Sequence, residues 1–113
     1  MKSAMTTETL ENENGFDPLI ANGGLCLACF NTPWSAPCRL QMSILEALVL
    51  YYGNQVTLLN VNIDYLERLR SRFGVHKIPT MIVFNQGVEC QRLVGLYPET
   101  ELRKIIDTQL LSV

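Results

Sequence analysis

The sequence predicts an α/β domain, a three-layer α/β/α sandwich with helices on both faces of a mixed central sheet. Three observations predict it. Two apolar runs, Leu25 to Phe30 and Val56 to Ile63, are separated by a stretch of helical periodicity, and a helical crossover joins parallel strands in the right-handed sense. Two later runs, Met81 to Phe84 and Val88 to Val94, are separated only by Asn85-Gln86-Gly87, so they must pair as an antiparallel hairpin. A final segment repeats the helical period and closes the second layer.

Taken in order, Phe16 to Ala21 is expected to form a short helix ended by Gly23-Gly24. Leu25 to Phe30 is continuously apolar, as a strand buried on both faces must be. After a turn at 31–35, Leu40, Ile44, Ala47, Leu48 and Tyr51 share one helical face, which is expected to be the buried one; the helix ends near Gly53-Asn54. Val56 to Ile63, with its β-branched residues, is the second central strand. Asp64 stands where it would cap a helix running to Phe73, and Gly74 where it would stop it. Beyond the hairpin and Gly95, Pro98 suits the first turn of a last helix with Leu102, Ile105, Ile106 and Leu110 on one face. The expected order is α, β, α, β, α, β, β, α.

A length of 113 residues, 48% of them hydrophobic, suffices for one core. Residues 1–14 are polar and acidic, without the apolar stretch of a secretory signal or membrane span, so a flexible tail ahead of a domain over 15–113 is expected, in a cytoplasmic, monomeric chain with no membrane partner. The nine basic residues are scattered and the net charge is -2, which gives no field to attract a phosphate backbone, so nucleic acid is not expected as a partner.

The four cysteines are Cys26, Cys29, Cys38 and Cys90. A disulfide framework belongs to small secreted chains that lack a core, and a zinc site at Cys26 and Cys29 would need two more ligands brought close; neither metal nor cofactor is expected. Strand alternation sends Cys26 and Cys29 to opposite faces, where both are expected to be small core residues, as is Cys90. Cys29 would gain a further role only by approaching Cys38. The run Trp34-Ser35-Ala36-Pro37-Cys38 has the frame of a dithiol motif at a strand-to-helix turn, with serine at the first cysteine position.

From about Phe16 to the C-terminus the chain resembles the thioredoxin family. The landmarks are Phe30, the frame from Trp34 to Cys38, Asn62-Ile63-Asp64, Ile78-Pro79-Thr80 and Val94-Gly95. The resemblance implies the thioredoxin fold and a protein-disulfide oxidoreductase whose nucleophile stands at position 35 and whose resolving thiol is Cys38. It also implies that Pro79 is cis, facing the motif, and that protein substrates carry thiols or disulfides and electrons come from a thioredoxin-reductase-type donor. An apolar rim of Trp34, Ala36, Pro37, Ile63, Ile78, Pro79, Gly95 and Leu96 would bind the substrate, with the backbone near Ile78 pairing to it like an added strand. His76 and Lys77 beside it read as a solvated turn.

Departures from the family pattern accompany these landmarks. The thiol lost at Ser35 would have had its pKa lowered from about 8.5 toward roughly 7 by the helix N-terminus, whereas a serine hydroxyl stays protonated. No histidine or carboxylate stands near in sequence to act as its base, so a serine-nucleophile enzyme is not expected. The family's buried aspartate, which helps protons reach the resolving thiol, aligns with Cys29, and the lysine near it with Asn60; a tryptophan aligns with Asn31 and a helix-kinking proline with Ser43. The expectation is an oxidoreductase inactive or severely impaired in this Ser35 form, serine being the near-isostere used to engineer such a variant. The alternative is a naturally redox-inactive binding module of the same fold.

Overall fold

The computed structural model describes residues 7–21 and 24–111. Five strands lie in the order β1-β3-β2-β4-β5, where β1 is Thr7–Thr9, β2 Leu25–Asn31, β3 Val56–Asn62, β4 Thr80–Asn85 and β5 Val88–Val94. Strands β1, β3 and β2 run parallel; β4 is antiparallel to β2 and β5 to β4. Four helices accompany them: α1, Phe16–Ala21; α2, Ala36–Tyr52; α3, Glu67–Arg72; and α4, Glu99–Leu110. The expected sandwich with its mixed sheet is therefore present.

The alternation of β2 divides the core in two. Cys26, Ala28 and Phe30 face α1 and α3, joining Phe16, Leu59, Leu69 and Ile82. Leu25, Leu27 and Cys29 face α2 and α4, joining Leu45, Leu48, Leu58, Leu102 and Ile106. A period of two places Cys26 and Cys29 on opposite faces, as expected. Burial of a side chain such as Phe16 or Leu58 contributes about 1.5–3 kcal/mol. Phe16 also packs against Phe73 and Phe84, with ring centroids 5.2 and 5.7 Å away.

Four expectations are corrected. The polar segment 1–14 is not wholly a tail: Thr7–Thr9 pairs with β3, Thr7 opposite Leu58, and Leu10 is buried after donating its N–H to the Asn60 carbonyl. Backbone pairing needs no apolar side chain, so composition hid this strand; the part of the expected tail over 1–6 lies outside the described residues. The buried face of α2 is Cys38, Gln41, Leu45, Leu48, Val49 and Tyr52, while Leu40 and Tyr51 face solvent. Apolar residues occur on both sides of this helix, and a polar one, Gln41, sits on the inner side, so periodicity alone chose the wrong face. Asp64 does not cap α3, which starts at Glu67 with no side-chain cap.

Cys90, the fourth, is exposed rather than packed. The register shifts between Val83 and Phe84, whose partners are Gln91 and Glu89, and Cys90 is the residue left over on the bulged strand. Its thiol donates to the Val83 carbonyl at 3.3 Å. The hairpin turn itself is Gln86-Gly87, both at positive φ (54° and 84°), the mirror-image turn that a two-residue hairpin requires.

Candidate active site

Sheet register gathers four separated segments at one end of the sheet. Asn31 pairs with Asn62, which brings Ile63 beside the start of the motif. Phe30 pairs with Thr80, which brings the cis Ile78-Pro79 peptide to the same end, and Thr80 pairs with Val94, which adds Gly95. The Gly95 N–H donates to the Pro79 carbonyl at 2.8 Å, and Gly95 adopts φ 92°, a region glycine enters without strain. Sites in open α/β sheets lie beyond strand carboxyl ends, and the motif follows the carboxyl end of β2.

Ser35 is the N-cap of α2. Its backbone is extended and its Oγ accepts the Cys38 N–H at 3.3 Å, satisfying one of the helix's orphan donors. The Sγ of Cys38 is enclosed, with 0% of the residue exposed. Around them Trp34 is 84% exposed and Leu96 45%, and Ala36 and Pro37 are exposed as well. Ile78 is half-buried and Pro79 buried. Ile63 does not join the rim: it is 7% exposed and packs in the α1/α3 core, because the residue after β3 turns inward with the strand's own alternation.

Behind the motif the shell is neutral. Cys29 is fully buried, and burial, with a smaller contribution from the neighbouring Cys38, pushes its thiol up to about 12. Burial does the same to Cys26, also to about 12. Asn31 donates through Nδ2 to the Cys29 carbonyl at 2.9 Å and to Oδ1 of Asn60 at 2.7 Å. A thiol at 29 and an amide at 60 thus stand where the family resemblance implies an acid and its lysine.

These raised thiols make stability fall with alkali. A group whose folded pKa lies above its unfolded value holds a proton that the unfolded chain has released, so folding weakens as pH climbs from about 9 toward 12. The slope should approach about 1.4 kcal/mol per pH unit for each thiol. Urea unfolding between pH 8 and 11 measures it, and Cys26→Ala and Cys29→Ala should each flatten the curve; an unchanged slope in both would contradict the assignment.

Sequence reasoning missed the residues that hold the site in place. Thr32 Oγ1 donates to Oδ2 of Asp64 at 2.8 Å and accepts from the Trp34 N–H at 3.4 Å, fastening the motif loop to the end of β3. Asp64 is therefore a tether for the motif and not a helix cap. Gln41, buried on α2, grips the Tyr97 backbone at both polar atoms: Nε2 donates to its carbonyl at 3.1 Å and Oε1 accepts its N–H at 2.7 Å. That grip positions the segment carrying Gly95 and Leu96. A lone glutamine between Leu40 and Met42, three residues after Cys38, was the available signal. Gln41→Leu should cost about 1–3 kcal/mol by orphaning two backbone groups, measured by urea unfolding; a loss near zero would show that water replaces the amide.

This arrangement has counterparts among known proteins. The thioredoxin family model matches residues 6–108. The chain belongs to the thioredoxin family. Thioredoxin of Chlamydia muridarum is 40% identical over 95 residues, which cover 84% of this chain and 91% of that one. Thioredoxin of Alicyclobacillus acidocaldarius is 32% identical over 96 residues, covering 85% and 90%. A mutant thioredoxin from Halobacterium salinarum superposes with a TM-score of 0.88 at 23% identity, over 97% of this chain and 96% of that one, which shows a shared thioredoxin fold. Among the described residues no helix is long and apolar enough to cross a membrane.

Proposed function

We propose that this thioredoxin-family chain is a protein-disulfide oxidoreductase scaffold in which Ser35 occupies the place of the attacking thiol, leaving exchange lost or severely impaired and the binding rim intact. The observation that carries the reading is Ser35 at the N-cap of α2 with the thiol of Cys38 enclosed behind it. In the parent chemistry a thiolate at 35 attacks one sulfur of a substrate disulfide and expels the other as thiolate. The Cys38 thiolate then attacks the sulfur at 35, releasing the reduced substrate and leaving an internal disulfide for an external dithiol donor, of the thioredoxin-reductase type, to reduce. A serine hydroxyl cannot begin this sequence without a base, and its Oγ is engaged by the Cys38 N–H.

Trp34, Ala36, Pro37, Ile78, Gly95 and Leu96 would take up an extended segment of a thiol- or disulfide-bearing protein, with the backbone beside cis Pro79 as its pairing edge. We place this in a cytoplasmic monomer, following the family resemblance. The near-isosteric exchange of sulfur for oxygen supports an engineered serine. A second reading, a binding module with native Ser35, is favoured by the cap that Ser35 makes and by the neutral Asn31–Asn60 pair behind it. The codon for residue 35 in the encoding gene separates the two origins, and insulin-disulfide reduction by Ser35→Cys tests the chemistry.

A further inference from the structure

Between the carboxyl ends of β2 and β3 and the first turns of α2 lies a cavity of about 290 Å³ that disulfide exchange does not use. Its polar lining is Asn31, Asn60 and Asn62 from the strand ends and Arg39, Ser43 and Glu46 from the helix. Asn31 and Ser43 face each other across this space from the strand end and the helix, and both bring polar atoms to its lining. The volume is close to the lower end of small-molecule sites, about 300 Å³, and suits a ligand of amino-acid size.

Asn31 is 5% exposed, and both Nδ2 hydrogens are spent, on Cys29 and Asn60. Its Oδ1 accepts from no group among the described residues. Asn31 lines the cavity, so a donor brought there by a ligand would meet this free acceptor on a side chain that is otherwise enclosed. The Oδ1 atoms of Asn60 and Asn62 are engaged, by Asn31 and by the Asp64 N–H at 2.9 Å, which leaves their Nδ2 groups as donors. Arg39 spends Nη1 on the Pro33 carbonyl at 2.7 Å, and among the described residues neither Arg39 nor Glu46 is in an ion pair. A buried neutral acceptor with a carboxylate favours an ammonium; a guanidinium with amide donors favours a carboxylate.

We infer that this cavity binds the zwitterionic head group of an α-amino acid, carried by a free amino acid or by the γ-glutamyl end of a small peptide. The ammonium donates to Asn31 Oδ1 and Glu46, and the carboxylate accepts from Arg39 and the amides of Asn60 and Asn62. No thiol takes part, so the site stands or falls apart from the redox reading.

The test is a titration of the full ¹⁵N-labelled chain with L-glutamate, S-methylglutathione and N-acetyl-L-glutamate, followed at the side-chain amides of Asn31 and Asn60. Saturable shifts are expected with at least one of the first two, and the tighter of them identifies the source. N-acetyl-L-glutamate, which lacks the ammonium, should bind about tenfold more weakly, the loss of one charge-assisted hydrogen bond. Arg39→Gln and Glu46→Gln alter exposed residues and should each weaken binding about tenfold with the remaining spectrum unchanged. Absence of saturation with both zwitterions, equal binding of the acetylated acid, or indifference to both substitutions would each overturn the site.

Discussion

Ser35→Cys is expected to raise insulin-disulfide reduction, with dithiothreitol as the electron source, by about 10²-fold or more over the chain as it stands. The new sulfur would sit at the N-cap of a 17-residue helix, where the partial positive charge of the helix end favours thiolate. Cys38 cannot take over this role in the serine form, because its sulfur is enclosed and an attacking thiolate must reach the substrate. Two companion variants sharpen the result. Cys38→Ser in the chain as given should leave the residual rate unchanged, whereas adding it to Ser35→Cys should hold substrate as a stable mixed disulfide. A Ser35→Cys protein that folds and shows no gain would sink the oxidoreductase reading and leave the binding module. Loss of the serine cap should cost that variant about 0.5–1 kcal/mol, too little to unfold it.

Cys29→Asp should destabilise the fold by about 3–5 kcal/mol at pH 8, because it sets a carboxylate into a fully buried position beside the neutral amides of Asn31 and Asn60. The cost depends on pH with a definite sign. Burial raises a carboxyl's folded pKa above its unfolded value, so the penalty is small below the unfolded pKa and grows as pH rises toward the folded one. Urea unfolding at pH 4 and pH 8 reads the difference; equal losses at both would assign the effect to packing instead of charge. Combined with Ser35→Cys, the same substitution restores an acid behind the resolving thiol, and the lifetime of the mixed disulfide should shorten. Adding Asn60→Lys should recover part of the stability by pairing the charge.

The parts of the fold carried by local pattern were legible in the amino-acid sequence alone. Continuous apolarity announced β2, two turn residues announced the hairpin, and helical spacing announced α4. The motif was legible too, since a strand, a five-residue frame and a helix start follow one another directly in the chain. The differences between pattern and structure share a cause. Strand β1 forms through backbone groups that its polar side chains do not advertise, and the inner face of α2 is set by what α4 and the Tyr97 segment present to it. Asp64 stands in the sequence where a helix cap would, while its partner, Thr32, lies on the far side of a helix and a strand along the chain.

The layers, the succession of crossover and hairpin, and the absence of a thiol at position 35 are all encoded locally, because each depends on residues near one another in the chain. Long-range packing sets the rest: Cys38 is enclosed, Ile63 turns into the core, Cys90 falls outside the strand register, and three asparagines border one cavity with Arg39 and Glu46. Those outcomes follow from sheet register and from the packing of α2, which juxtapose residues far apart in the chain, and no local propensity specifies such a juxtaposition.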